Sequence, residues 1–124
     1  CTGMIWGAVN FMPHECVKLF NLIEEKKYQD AMDLWKLMEP VCLWLGGNRH
    51  EVDYLTGIKA AANLSGREMG PPRKPLPNVA APARHDLRIA MSKLPINHTT
   101  NNRLVWRDWQ EEKDWLIQSS IKRN

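Results

Sequence analysis

Lys59 is the residue whose type and setting come closest to chemistry. It lies in the apolar stretch Gly57-Ile58-Lys59-Ala60-Ala61-Ala62, and burial would lower an amine's pKa towards the range in which it attacks carbonyl carbon to form an imine. The same stretch reads as a helix far in sequence from any strand end, which favours a structural role for Lys59. His14 and Glu15 could suggest an acid–base or metal pair, but adjacent residues on a helix point about 100° apart. They read as capping and surface groups. His50 and His85 stand alone in polar surroundings and read as solvated histidines. Arg73, set among prolines, reads as a pin holding a connector to a carboxylate or to helix carbonyls. Cys1, Cys16 and Cys42 match neither a zinc site nor a CxxC pair, which favours reduced, packed thiols in a cytoplasm. Asn10-Phe11-Met12-Pro13 enters a helix without the glycine-rich lead of a phosphate site. No constellation calls for a metal or an organic cofactor.

These residues must be positioned by elements, and the pattern supplies mostly helices. Gly3 to Val9 is a short apolar run without polar alternation, as expected of a strand covered on both faces. It leads into Pro13, suited to a first helical position, and Glu15, suited to a helix N-terminus. That is half of a βα unit. A helix over 13–26 would place Cys16, Leu19, Phe20 and Ile23 on one side. A second, from Tyr28, repeats Ala31, Met32, Trp35, Met38, Cys42 and Leu45 until Gly46-Gly47, with a kink or break expected near Glu39 because Pro40 removes a donor. A third, over 52–64, turns Leu55, Ile58, Ala61 and Ala62 inward, and its small residues allow close approach. Five prolines make 66–82 a stiff connector. A fourth helix, 83–94, packs Leu87, Ile89 or Ala90, and Met91 or Leu94. The tail 96–124 opens as a polar linker and can add a tryptophan-rich helix over 103–119.

Composition narrows the function. The 17 basic residues are interleaved with 14 acidic ones, giving a net charge of +3. No clustered basic stripe of a nucleic-acid binder is present. No apolar window is long enough for a membrane span.

The residues in their order resemble the C-terminal third of the dihydrodipicolinate synthase and N-acetylneuraminate lyase family, the pyruvate-type class I aldolases. The resemblance is carried by Gly3, Ile5, Asn10 and Pro13, by Tyr28 and Ala31, by Leu37-Met38-Glu39-Pro40, by Ile58-Lys59-Ala60-Ala61, and by Gly66, Gly70-Pro71-Pro72-Arg73, Pro75 and Pro77. It implies the last strand and helix of a (β/α)8 TIM barrel in 1–26, a C-terminal helical region in 27–95 with its connector at 66–82, and a cytoplasmic homotetramer. It also implies that a lysine and a tyrosine, both ahead of Cys1, hold pyruvate or another 2-oxo acid as an imine and move protons to and from an aldehyde partner. No cofactor beyond that covalent imine is implied, and this chain alone is expected to be inactive. Ile5 and Trp6 are expected to line the substrate pocket, and Gly3, Asn10, Pro13, Lys59 and Arg73 to be structural. Relatives often carry a small residue where Trp6 stands, so its indole either reshapes the pocket towards an apolar or aromatic aldehyde or serves as plain barrel packing.

A rival from another class is a free-standing helical interaction module without catalysis. It would use the apolar stripe from Met32 to Leu45 and the tail tryptophans.

Overall fold

The computed structural model describes residues 2–46, 50–94 and 106–123, and for 106–112 the backbone path alone. The protein is mainly helical. A 3-10 turn, Gly7–Asn10, precedes α1 (Pro13–Glu24), α2 (Tyr28–Leu45), α3 (Tyr54–Leu64), α4 (Ala81–Ser92) and α5 (Trp106–Lys122). Among the described residues there is no strand. The run expected to be one is divided: 2–6 carries no regular structure, and the turn takes Gly7–Asn10. The reason is hydrogen bonding. A strand is defined by its ladder, and among the described residues no second strand is available to pair with it. Trp6 does keep extended backbone angles, φ −152° and ψ 134°.

Helix ends follow local chemistry. Pro13 opens α1, where its missing N–H costs nothing. The α1 C-terminus closes as a Schellman motif, with Lys27 N–H donating to Leu22 O at 2.8 Å and Lys26 N–H to Ile23 O at 3.0 Å. That motif forces Lys26 to φ 59°, a region glycine usually fills. The α3 C-terminus repeats it with Gly66 at φ 82°, Arg67 N–H donating to Ala62 O and Gly66 N–H to Asn63 O. Asp53 caps the α3 N-terminus, accepting from Leu55 and Thr56 N–H at 3.0 and 3.1 Å. Pro82, read as part of the connector, lies instead in the first turn of α4, where proline is tolerated. α2 runs through Pro40 without a break. α5 runs on to Lys122, past the end at Ser119 that the pattern suggested, and 103–105 lie outside the described residues.

One core joins the first four helices. Phe11, Met12, Met38, Val41 and Leu87 are wholly buried, beside Leu34, Ile58, Ala61, Ala62 and Met91. Each large side chain among them contributes about 1.5–3 kcal/mol by leaving water. α1 packs along α2, α2 touches both α3 and α4, and α5 lies on α4. The buried face of α2 is Ala31, Leu34, Met38, Val41, Trp44 and Leu45, so Met32 is exposed rather than inward. Leu55 of α3, Ile23 of α1 and Ile89 of α4 are likewise exposed. Two ties reinforce the packing. The Trp44 indole N–H donates to Ala83 O at 2.8 Å, buried between α2 and α4, and Gly57 lets α3 approach Trp44 and Leu45.

Candidate functional site

The segment 2–6 and the turn after it are held from below by three elements. Asn10 Nδ2 donates to Gly7 O at 3.0 Å, closing the turn. Arg67, just past α3, donates to Asn10 O at 3.4 Å. Ala8 is buried, and the next two buried side chains, Phe11 and Met12, lead directly into α1 at Pro13. The turn is therefore a rigid joint between the extended segment and the helical core.

Above that joint the side chains divide. The Trp6 ring lies on Trp35 of α2, centroids 6.3 Å apart and tilted by 34°, a favourable offset geometry. It is half-buried and packs against the core. Ile5 is wholly exposed, at 106% of its reference area. Neighbours along an extended backbone point to opposite sides, so Trp6 faces the helices and Ile5 faces away from them. The structure does not bring Ile5 and Trp6 to one wall. Gly3 is exposed, with open space around its Cα.

Lys59 is half-buried, and its ammonium donates to Met69 O at 3.3 Å and Pro71 O at 3.1 Å. One turn later Asn63 accepts from Met69 N–H at 2.8 Å and donates to Gly70 O at 3.3 Å. Together they clamp the start of the connector onto α3. Arg73, expected to be the pin, is exposed, and among the described residues its only hydrogen bond is its carbonyl accepting from Leu76 N–H. The clamp role belongs to helix residues because the i, i+4 spacing of Lys59 and Asn63 aims both at one strip of backbone. Asn63 had only that spacing as a signal.

Three titratable residues depart from their sequence reading. Glu15 is buried rather than a surface group. It lies in the first turn of α1, where a carboxylate meets the positive end of the helix. His50 Nε2 lies 2.8 Å from Asp86 Oδ2, joining the segment before α3 to α4. His85 stands against Trp115 of α5, 5.7 Å between ring centroids. Arg84 is buried as well, a position that a polar-looking helix start concealed. Burial pushes the Cys16 thiol up to about 11, with the Glu15 charge adding to it. Burial does the same to Cys42, also about 11, with Cys16 and Glu39 contributing. Both are protonated, packed thiols.

Two hollows open elsewhere. One, of about 420 Å³, runs between α2 and α4 past Leu43, Trp44, Ile89 and Lys93. The other, of about 310 Å³, lies between the starts of α3 and α4 around Val52, Thr56, Val79 and Ala83. Neither contains Ile5, Trp6 or Lys59. Among the described residues no group of three or more His, Cys, Asp or Glu could hold a metal ion, and no helix is long and apolar enough to cross a membrane.

Over 97 residues the chain is 30% identical to a protein of Pyrobaculum arsenaticum described as an uncharacterized DapA-like lyase. The alignment covers 74% of this chain and 32% of that protein, so the chain spans about a third of the length of the curated relative it matches. No family model matches the chain, and no solved structure matches it.

Proposed function

We propose that this chain serves as the C-terminal helical region of a carbon–carbon lyase of the dihydrodipicolinate synthase and N-acetylneuraminate lyase type, acting on pyruvate or another 2-oxo acid through a lysine imine. The observation that carries the reading is the 97-residue similarity to a DapA-like lyase. The form of the first residues supports it. Ile5, wholly exposed on a segment whose next residue keeps extended angles, presents an apolar face of the kind a strand shows when its sheet neighbours are not beside it.

In this reading segment 2–6 joins a barrel sheet, and its end, at the turn, lies at the face where such barrels do their chemistry. Ile5 supplies a pocket-facing side chain. Trp6 belongs to the packing between strand and helices, so the argument for an apolar or aromatic aldehyde from its bulk lapses. Lys59 is not the imine lysine in this reading, its ammonium being engaged by Met69 O and Pro71 O of the connector. The nucleophile and the proton-carrying tyrosine come from outside this chain.

The test is reduction by borohydride in the presence of pyruvate, on the full-length polypeptide that carries this chain, followed by peptide mass mapping. The expected result is one reduced adduct on a lysine outside these 124 residues. An adduct on Lys59, or none anywhere, would refute the proposal.

A further inference from the structure

The hollow of about 310 Å³ between the starts of α3 and α4 brings together two helix N-termini that are satisfied differently. At α3, Asp53 accepts from Leu55 and Thr56 N–H, so backbone donors are met from within the chain. At α4 the cap position is Ala80, whose side chain has no acceptor, and Pro82 supplies no N–H. Among the described residues the N–H groups of Ala81 and Ala83 make no hydrogen bond, and Ala83 is 2% exposed. A buried backbone donor without a partner is uncommon and costs free energy. One side chain from α3 shares that condition. Thr56 lines the hollow and is 3% exposed, and among the described residues its hydroxyl makes no hydrogen bond. It does not bond back to a carbonyl of its own helix, the usual outlet for a threonine in that position.

We propose that this hollow binds a short apolar carboxylate, whose oxygens accept from the Thr56 hydroxyl and the first N–H groups of α4 and whose hydrocarbon end lies against Val52, Val79 and Pro82. The proposal is independent of the lyase reading. A carboxylate only accepts hydrogen bonds, which matches a set of donors without partners. Its charge meets the positive end of α4, which no acidic side chain in the first turn of that helix offsets. Glu51 and Asp53 also line the hollow, but both are exposed, and the Asp53 carboxylate is engaged by the α3 cap. Charges so placed are screened by water and salt and oppose the ligand weakly. His50 lines the hollow too, and its bond to Asp86 at 2.8 Å ties the segment ahead of α3 to α4. The volume is at the small end of ligand pockets, which fits an acid of a few carbons. Bound there, the acid caps α4 and joins it to α3, the helix whose Tyr54 and Ile58 press on Gly7.

The experiment is calorimetric titration of the full-length polypeptide that carries this chain with isovalerate, with its amide and with isopentylamine, which share a carbon skeleton and differ in charge. Wild type should bind isovalerate with a Kd of about 1 mM and the other two more weakly. Thr56→Val keeps the shape and removes the hydroxyl, so isovalerate should bind about fivefold more weakly, the worth of one modest hydrogen bond. Its thermal unfolding midpoint without ligand should match or exceed that of wild type, because a hydroxyl without a partner has been removed. Thr56→Ser keeps the hydroxyl and should bind within about twofold of wild type. Absence of saturable binding by wild type overturns the proposal. So does an amide or amine that binds as tightly as the acid, since the carboxylate would then be irrelevant. Unchanged affinity in Thr56→Val overturns it by moving the site elsewhere, and a loss that tracks a lowered unfolding midpoint, or that Thr56→Ser shares, overturns it by making Thr56 a packing residue.

Discussion

Gly57 and Trp44 should show a coupling whose sign changes with the background. Gly57 lies inside α3, where alanine would favour the helix by about 1 kcal/mol. A Cβ there would sit 3.0 Å from Trp44 Cζ3, 3.1 Å from Leu45 Cδ2 and 3.4 Å from a Val52 methyl. The Leu45 and Val52 groups are ends of flexible side chains. The indole is not free to yield, because its N–H is bound to Ala83 O at 2.8 Å in a buried seam. Overpacking of this kind costs about 1–3 kcal/mol, so Gly57→Ala alone should be destabilising by about 0–2 kcal/mol. In a Trp44→Phe background the crowding atom is gone and the helix preference remains. The same Gly57→Ala change should then stabilise by about 1 kcal/mol. Trp44→Phe by itself loses one buried hydrogen bond, about 1 kcal/mol, and some volume. Urea denaturation of the four proteins, followed by circular dichroism, closes the cycle, with an expected coupling of about 1–3 kcal/mol. Equal effects of Gly57→Ala in both backgrounds would refute the claim that the indole limits the approach of α3 to α2.

Other outcomes follow from single features. Lys26→Gly should stabilise the chain by about 1 kcal/mol, since it relieves a left-handed residue that the Schellman closure of α1 requires; unfolding midpoints measure it. Asp53→Ala should cost about 1 kcal/mol through two lost cap hydrogen bonds, read the same way. Lys59→Ala should leave the fold in place but speed protease cleavage near Met69–Pro71, where its two hydrogen bonds hold the connector; an unchanged cleavage rate would count against the clamp. Burial raises the Cys16 and Cys42 pKa values to about 11. A thiol whose folded pKa is raised stabilises fully below its unfolded pKa, so stability should decline as pH rises from about 9 to about 11. The decline should be smaller in a Cys16→Ala, Cys42→Ala double variant.

The helices were legible because their signals are local. Proline at the start of α1, the run of apolar residues in α2 and the glycine after α3 each act within a few residues. Which face of a helix turns inward is decided by neighbours, and here the reading slipped. On α2, Met32 and Leu34 are equally apolar, and only the contacts of α1, α3 and α4 select Leu34. The run Gly3 to Val9 forms no strand among the described residues, because an apolar run states what a segment can do, whereas a ladder needs a second strand. Glu15 and Arg84 were invisible as buried groups and His50 as a paired one, since burial is decided by how the helices pack and Asp86 lies 36 residues from His50. The contact of Tyr54 and Ile58 with Gly7 carried no signal until folding brought α3 over the turn.

The grip of Tyr54, Ile58 and Arg67 on residues 7–10 means that the aim of the leading segment is governed by residues about fifty positions downstream. Exchanging α3 for a helix of different girth would tilt that segment like a rudder, leaving its own letters untouched.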